Sequence, residues 1–381
     1  MLGKLASATV SVVIPTKNAG AGFRETLEAI RSQTMPSEIV VVDSGSSDGT
    51  VEMASQFGAS VIAIAPESFN HGETRNLGIR NSKGQFCVML VQDALPVGSA
   101  WLDALIEPFF DERVVGVTVR QTPRRDSDPV GRWQVEYRNQ FLGDAVLVQE
   151  LENWNHFLDL DFQQRLRLAS FDNVCSAIRR EFWETSPFQA VAFAEDLDWA
   201  IRALAARRLL VYNPSVCVIH SHNRPAAYHL RRSYLSGRVV PKILHLQATD
   251  PGIRDDKEFL DLLGSVYGEV HTMLHEGIGD WRSFRRTSCA DRGFWRDFLT
   301  AVGLRPSPPY NYVRDTFYFV VEQLEGVCRR SQPPAPSSYM AVHALAQSIG
   351  SFAAEYYNWC EAKDILSDNM RRLDQALSTG V

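Results

Sequence analysis

The sequence predicts an α/β domain built on a mostly parallel sheet with flanking helices, followed by a helical C-terminal region. Three features of the 381 residues carry that expectation. Short apolar, β-branched runs of strand length alternate with stretches of helical periodicity. The links between them are brief and carry Gly, Pro, Ser and Asp. After about Arg224 the strand signal fades and only helical patterns remain.

Val10–Pro15 is the first buried strand, bounded by Thr16–Gly20. Ala21–Thr34 follows with Phe23, Leu27 and Ile30 at helical spacing, and Pro36 closes it. Glu38–Asp43 is a second strand, and the polar turn after it leads into a helix at Thr50–Phe57. Ser60–Ala65 is the third strand, Glu73–Asn81 a helix and Phe86–Val91 the fourth strand. Val114–Arg120 continues the sheet, and Thr122–Pro129 is a charged loop. A helix is expected over Gln134–Leu142, strands over Asp172–Arg179 and Arg208–His220, and a helix over Asp196–Arg207. Beyond lie five helical patterns, Tyr228–His245, Asp256–Leu274, Phe294–Val302, Tyr312–Val327 and Tyr339–Leu377, with a Pro-rich linker at Ser331–Ser338. The domain boundaries read as 8–225 and 226–381.

Composition excludes several classes. With 45% hydrophobic and 22% charged residues the chain can bury a sizeable core, and a net charge of −6 gives no global pull toward nucleic acid. The six cysteines are widely spaced without CxxC or CxH, so reduced thiols are expected rather than a disulfide framework or structural zinc. No run of ~18 apolar residues and no signal-peptide layout is seen, so a membrane would be met only from its surface.

In a parallel sheet, ligands collect at the carboxyl ends of the strands, so polar residues just past those ends come first: Thr16, Asp43 and Asp93. Asp43 opens the turn SGSSDGT and is suited to accept hydrogen bonds from a ribose or base edge; capping of the next helix by Asp43, Ser44 or Asp48 is the plain alternative. Arg75 lies at the first turn of a helix in SFNHGETRNLGI, where donors converge on an anionic phosphate; pairing with Glu73 or Asp43 is its alternative. In LVQDALP, Asp93 follows a buried strand and could equally be a turn residue. Glu195, Asp196 and Asp198 open a helix, where the dipole alone would favour acids. His220 and His222 in CVIHSHNR share one face of a strand end at a spacing that suits a metal, although a strand-end His is more often structural.

Taken together and in this order, VSVVIPTKN, EIVVVDSGSSDGT, FNHGETRNLGI, LVQDALP, FAEDLDWAIRAL and CVIHSHNR resemble the family-2 glycosyltransferases of the GT-A fold, over roughly residues 8–225. The FNHG-x-TRNLG run is similar to that of rhamnosyltransferase-like members. The resemblance implies an inverting transfer from a nucleotide-sugar donor, such as dTDP-rhamnose, to a saccharide or lipid-linked saccharide of a cell-surface polymer. It implies donor binding by Pro15, Thr16, Asn18, Asp43, Ser44, Arg75, Gln92 and Asp93. It implies Mg2+ or Mn2+ at Asp93 with His222, although Val91 stands where the family's DxD motif has its first acid. The general base of the resembling enzymes falls on Asp196, with Glu195 as the second choice.

Two further readings stay open on sequence grounds, a sugar nucleotidyltransferase and a non-catalytic nucleotide-sugar-binding scaffold. IPTKNAGAGF is only a loose version of the Gly-rich loop the first needs, and the retained Asp93 and Glu195–Asp196 weigh against the second. GxGxxG does not follow the first strand, which disfavours a dinucleotide enzyme. The helix Tyr228–His245 carries Arg231, Arg232, Arg238 and Lys242 beside an apolar face; it reads either as a solvated packing helix or as a peripheral contact with anionic lipid. Ile349, Phe352, Tyr356 and Trp359 form a stripe that suits core or a homodimer seam. The expected location is the cytoplasm, at the inner face of the cell membrane.

Overall fold

A computed structural model describes residues 8–261 and 337–378. The expected helices Phe294–Val302 and Tyr312–Val327 lie outside the described residues, as does the Pro-rich linker apart from Ser337 and Ser338. The chain divides into two compact units. One comprises residues 1–126, 134–221 and 243–245; the other comprises 127–133, 222–242 and 246–381.

The first unit is an α/β layer structure. Its elements run β1 (Val10–Thr16), α1 (Phe23–Arg31), β2 (Ser37–Asp43), α2 (Thr50–Gln56), β3 (Ser60–Ala63), α3 (His71–Arg80), β4 (Phe86–Leu90), β5 (Leu95–Pro96), α4 (Trp101–Ile106) and β6 (Val114–Thr122). Then follow α5 (Pro129–Leu142, from residue 134 on in this unit), β7 (Leu147–Gln149), α6 (Trp154–Asp159), α7 (Phe162–Leu168), β8 (Cys175–Arg179), α8 (Arg180–Thr185), α9 (Glu195–Ala205) and β9 (Leu209–Ile219). The sheet order is β3-β2-β1-β4-β8-β6-β9-β5, with β7 also paired to β9.

The β3-β2-β1-β4 half is wholly parallel, which the strand–helix alternation predicts. Beyond it the sheet is mixed: β8 runs antiparallel to both β4 and β6, while β6 and β9 are parallel. A strand buried on both faces reads as the same apolar run whichever way it points, so its direction was not legible. Val12, Ile14, Val41, Val88, Leu90 and Ala177 put side chains into one core with Phe23, Leu27 and Ile30 of α1. That burial removes enough apolar surface to hold a helix whose own propensity is ordinary. α3 packs on β1 and β2. A Cβ on Gly78 would stand 2.3 Å from Val13 Cγ1, so only glycine permits that approach.

Local chemistry sets the positions of the strand exits. The β6–β9 register shifts between Val119↔Asn213 and Arg120↔Cys217, a bulge around Pro214 that accommodates a residue with no N–H to donate. Past the bulge, β9 pairs antiparallel with β5, Leu95 opposite Ile219 and Pro96 opposite Val218.

The described residues of the second unit include three helices: α10 (Ala226–Ile243), α11 (Ser337–Ala362) and α12 (Asp368–Leu377). The expected single helix Tyr339–Leu377 is two helices, because Ser367 caps the second by accepting from the Met370 amide. α10 and α11 approach closely at glycines: a Cβ on Gly350 would meet Leu230 O at 2.3 Å, and one on Gly237 would meet Ala354 Cβ at 2.7 Å. Arg238 Nε donates to Asp374 at 3.0 Å and Lys242 pairs with Glu361, so these two basic residues of α10 are engaged inside this unit. Phe352 and Tyr356 are buried and stack on Phe259, which makes that part of the aromatic stripe core. Among the described residues no helix is long and apolar enough to cross a membrane, and Cys87, Cys175, Cys217 and Cys360 are free thiols.

Candidate active site at the strand exits

The exits of β1, β2 and β4 form one hydrogen-bonded floor. Asp43, 2% exposed, accepts from Thr16 Oγ1 (2.9 Å), Ser46 Oγ (2.5 Å) and the amides of Gly45 (3.0 Å) and Ser46 (2.8 Å). Burial opposes its charge, but the bonds from Ser46, Thr16 and Gly45 outweigh that and hold the carboxyl below its ordinary range. Asp43 does not cap the next helix: α2 starts after Gly49, and of the three capping candidates it is Asp48 that receives the Thr50 amide. Ser44 Oγ donates to Thr16 O at 3.0 Å. Asn18 adopts a left-handed φ of 47° and accepts from the Ser47 amide at 2.9 Å. Gln92 clamps the same loop, accepting from Lys17 N at 2.9 Å and donating to Lys17 O at 3.3 Å. Pro15, Thr16, Asn18, Asp43, Ser44 and Gln92 therefore lie in one assembly across strands that are far apart in sequence.

Arg75 is elsewhere. Asn70 caps α3 by accepting from the Gly72 and Glu73 amides, and this carries Arg75 inward, where it is 4% exposed. Its guanidinium donates to Glu195 at 2.6 Å and to His71 O at 3.1 Å. Its side-chain partner is thus not the Glu73 or Asp43 that the sequence offered, but an acid 120 positions along the chain.

Glu195 and Asp196 open α9 next to a strained residue, Ala194, whose φ of 61° is left-handed. Adjacent in sequence, the two acids meet different surroundings. Glu195 is buried; burial raises its carboxyl, but Arg75, His71 and the Asn173 amide lower it to a net value below the ordinary range. Asp196 is pushed up to about 7, first by burial and then by the charges of Glu195 and Asp172. Its oxygens accept from the Asn173 amide (3.2 Å) and the Leu197 amide (2.9 Å). Asp198 instead pairs with Arg202 at 2.9 Å along the helix.

Asp93 Oδ1 lies 3.7 Å from His220 Nε2. With His222, two residues along the chain, it supplies donor atoms all within 4.8 Å of one another. Burial lowers the His220 imidazole, with Asp93 acting against it, so the ring is held neutral, as a ligand must be. One carboxylate oxygen and two imidazole nitrogens fit a divalent transition ion such as Mn2+ better than Mg2+, which prefers an all-oxygen shell.

Sequence reasoning missed Asn173, Asp172, Gln121 and Arg138. Asn173 Nδ2 reaches Glu195 at 3.2 Å, and Gln121 Oε1 lies 3.1 Å from His220 Nδ1. The available signal was polarity at the ends of otherwise apolar strands: Asp172–Asn173 precede VCSAIR, and Gln121 follows VVGVTVR.

The profile of the glycosyl transferase family 2 matches residues 11–185. The O-antigen chain rhamnosyltransferase WbaN of Salmonella anatum is 30% identical over 233 residues, 60% of this chain and 70% of that protein. The chain belongs to glycosyltransferase family 2. RfbN of Salmonella typhimurium, also an O-antigen chain rhamnosyltransferase, is 31% identical over 233 residues, covering 60% of this chain and 71% of its own length. Among solved structures, the mannosyltransferase of Pyrobaculum calidifontis in complex with GDP-Man and Mn2+ aligns with a TM-score of 0.50 at 18% identity, over 90% of this chain and 87% of that one. This family-2 glycosyltransferase therefore has the GT-A fold, with helices following its sheet.

Proposed function

We propose that the chain transfers a sugar with inversion from a nucleotide-sugar donor, rhamnose from dTDP-rhamnose, to a saccharide or lipid-linked saccharide in cell-surface polysaccharide synthesis. One arrangement carries the mechanism: of two adjacent acids opening α9, Glu195 is paired with Arg75 at 2.6 Å, while Asp196 is held by the Asn173 and Leu197 backbone amides and pushed up by burial beside Glu195 and Asp172. A base poised near neutral pH is what deprotonation of an acceptor hydroxyl needs. The choice of rhamnose and of an O-antigen-like acceptor draws support from the two Salmonella relatives. A lipid-linked acceptor would place the reaction at the inner face of the cell membrane, and the helical unit would serve the acceptor, membrane or self-association side.

In this reading Thr16, Asn18, Asp43, Ser44 and Gln92 shape the donor pocket at the strand exits, and Pro15 sets the turn out of β1. Asp93, His220 and His222 would hold a divalent ion, which supplies charge neutralisation for the departing nucleoside diphosphate. Asp196 takes the acceptor proton, Asn173 and Leu197 amides orient its carboxyl, and Glu195 with Arg75 fixes the start of α9.

Thermal stabilisation of the purified protein tests the donor half of this reading. dTDP or UDP with Mn2+ is expected to raise the melting temperature, because a ligand that binds only the native state stabilises it by mass action. In Asp43→Ala the shift should largely vanish, whatever the variant's own melting temperature. In Asp93→Asn the metal-dependent part should shrink, since a neutral amide is a poor ligand for a divalent ion. No shift of the wild type by any nucleotide would overturn the donor claim and favour a chain that has lost it. A full shift in Asp43→Ala would remove that residue from the pocket.

A further inference from the structure

We infer that Gln121 is a positioning residue for the metal site: oriented by Asp172, it holds His220 in the Nδ1–H tautomer and so presents Nε2 toward Asp93. The inference rests on the metal reading of Asp93, His220 and His222 given above.

A neutral imidazole protonates one nitrogen and ligates with the other, and the partner of the non-ligating nitrogen decides which is which. That partner here is a primary amide, which can present either its oxygen or its nitrogen. Asp172 removes the ambiguity. Its Oδ1 lies 3.2 Å from the other end of the Gln121 amide. A carboxylate only accepts, so the amide nitrogen must face Asp172, and the oxygen is left facing His220 Nδ1 at 3.1 Å. An oxygen there requires a proton on Nδ1.

Each member of this relay is itself held. Asp172 is ion-paired to Arg138 through Oδ2 and accepts the Val174 amide at 3.2 Å through Oδ1. Arg138 also donates to Val119 O at 3.3 Å. Gln121 is 6% exposed, and its backbone carbonyl accepts from Asn139 Nδ2 at 2.7 Å. The opposite ring nitrogen, His220 Nε2, is the one 3.7 Å from Asp93 Oδ1. A chain from Arg138 through Asp172 and Gln121 to His220 thus fixes which nitrogen a metal would meet, without any of the first three being a ligand.

The tautomer is read directly by long-range 1H–15N correlation on metal-free protein labelled with 15N-histidine, His220 being assigned by its absence in His220→Asn. The expected spectrum has Nδ1 protonated and Nε2 bare; an Nε2–H tautomer overturns the inference. The second arm is Gln121→Met, of similar length but without an acceptor. Its Mn2+ affinity, followed by the EPR signal of free Mn2+, should fall ~10–100-fold, the usual cost of losing such a partner. Its melting temperature without metal should change little. Unchanged Mn2+ affinity in that variant also overturns the inference. If Gln121→Met does not fold, the wild-type spectrum decides alone. If the wild type takes up no Mn2+ with nucleotide present, it is the metal reading that fails. If it takes up Mn2+ while carrying Nε2–H, only the role of Gln121 fails.

Discussion

Asp196→Asn is expected to lower turnover by ~10²–10⁴-fold, the usual worth of a positioned general base, while leaving nucleotide-induced stabilisation near wild type. A base acts on the transferring proton and adds little to donor affinity. The wild-type rate should fall as the pH drops through about 7, because the carboxyl must be unprotonated to act and burial with Glu195 and Asp172 holds it there. Stability should move the opposite way. The folded state keeps the Asp196 proton above 3.8, where the unfolded chain has lost it, so this residue costs stability as the pH rises from 3.8 toward 7. Asp196→Asn should flatten that slope as it removes the rate. The competing role is a helix-end acid, worth about 0.5–2 kcal/mol of stability with turnover per folded molecule intact. A destabilised but fully active Asp196→Asn would move the base to Glu195.

Arg75→Met should cost about 3–5 kcal/mol of stability, because it strands a buried carboxylate whose partner is 2.6 Å away. Both side chains are nearly inaccessible, so solvent screening does little to soften the loss. In the wild type Arg75 keeps Glu195 below its ordinary range, a contribution present above that range and lost as acid protonates it. In the variant the penalty should be largest at neutral pH and shrink toward acid, where Glu195 takes up a proton. Arg75→Met/Glu195→Gln should recover part of it, because no charge is then left unpaired. Urea denaturation across pH measures all of this. A purely phosphate-binding Arg75 predicts the reverse, near-native stability with a loss of donor affinity.

The parallel half of the sheet was legible because its apolar runs and helical links obey simple periodicities. The antiparallel insertion of β8 was not, since Cys175–Ile178 are buried on both faces and carry no directional signal. The hydrogen-bonded floor was legible as strand-end polarity: Thr16 and Asp43, placed just past two strand ends, meet in space. The Glu195 partner of Arg75 was not legible, because a position on a helix says which turn a residue occupies, not which way α3 is pressed by Gly72 and Gly78 against its neighbours. The acid pair was visible as an acidic helix start, but its division of labour depends on Arg75 and Asn173, from distant parts of the chain. The His220–Gln121–Asp172 relay lay beyond pattern reading altogether, since it joins three separate segments by side-chain amides and carboxylates.

The anomeric configuration of the product tests the central claim most directly. Purified protein with Mn2+ and an extract of lipid-linked saccharide acceptors is offered dTDP-rhamnose and, separately, UDP- and GDP-sugars. Free nucleotide is quantified and the new glycosidic bond examined by NMR. The expected result is dTDP release from dTDP-rhamnose and a product anomer opposite to that of the donor, both lost in Asp196→Asn. A product that retains the donor's anomer, or wild-type rates in Asp196→Asn, would contradict it.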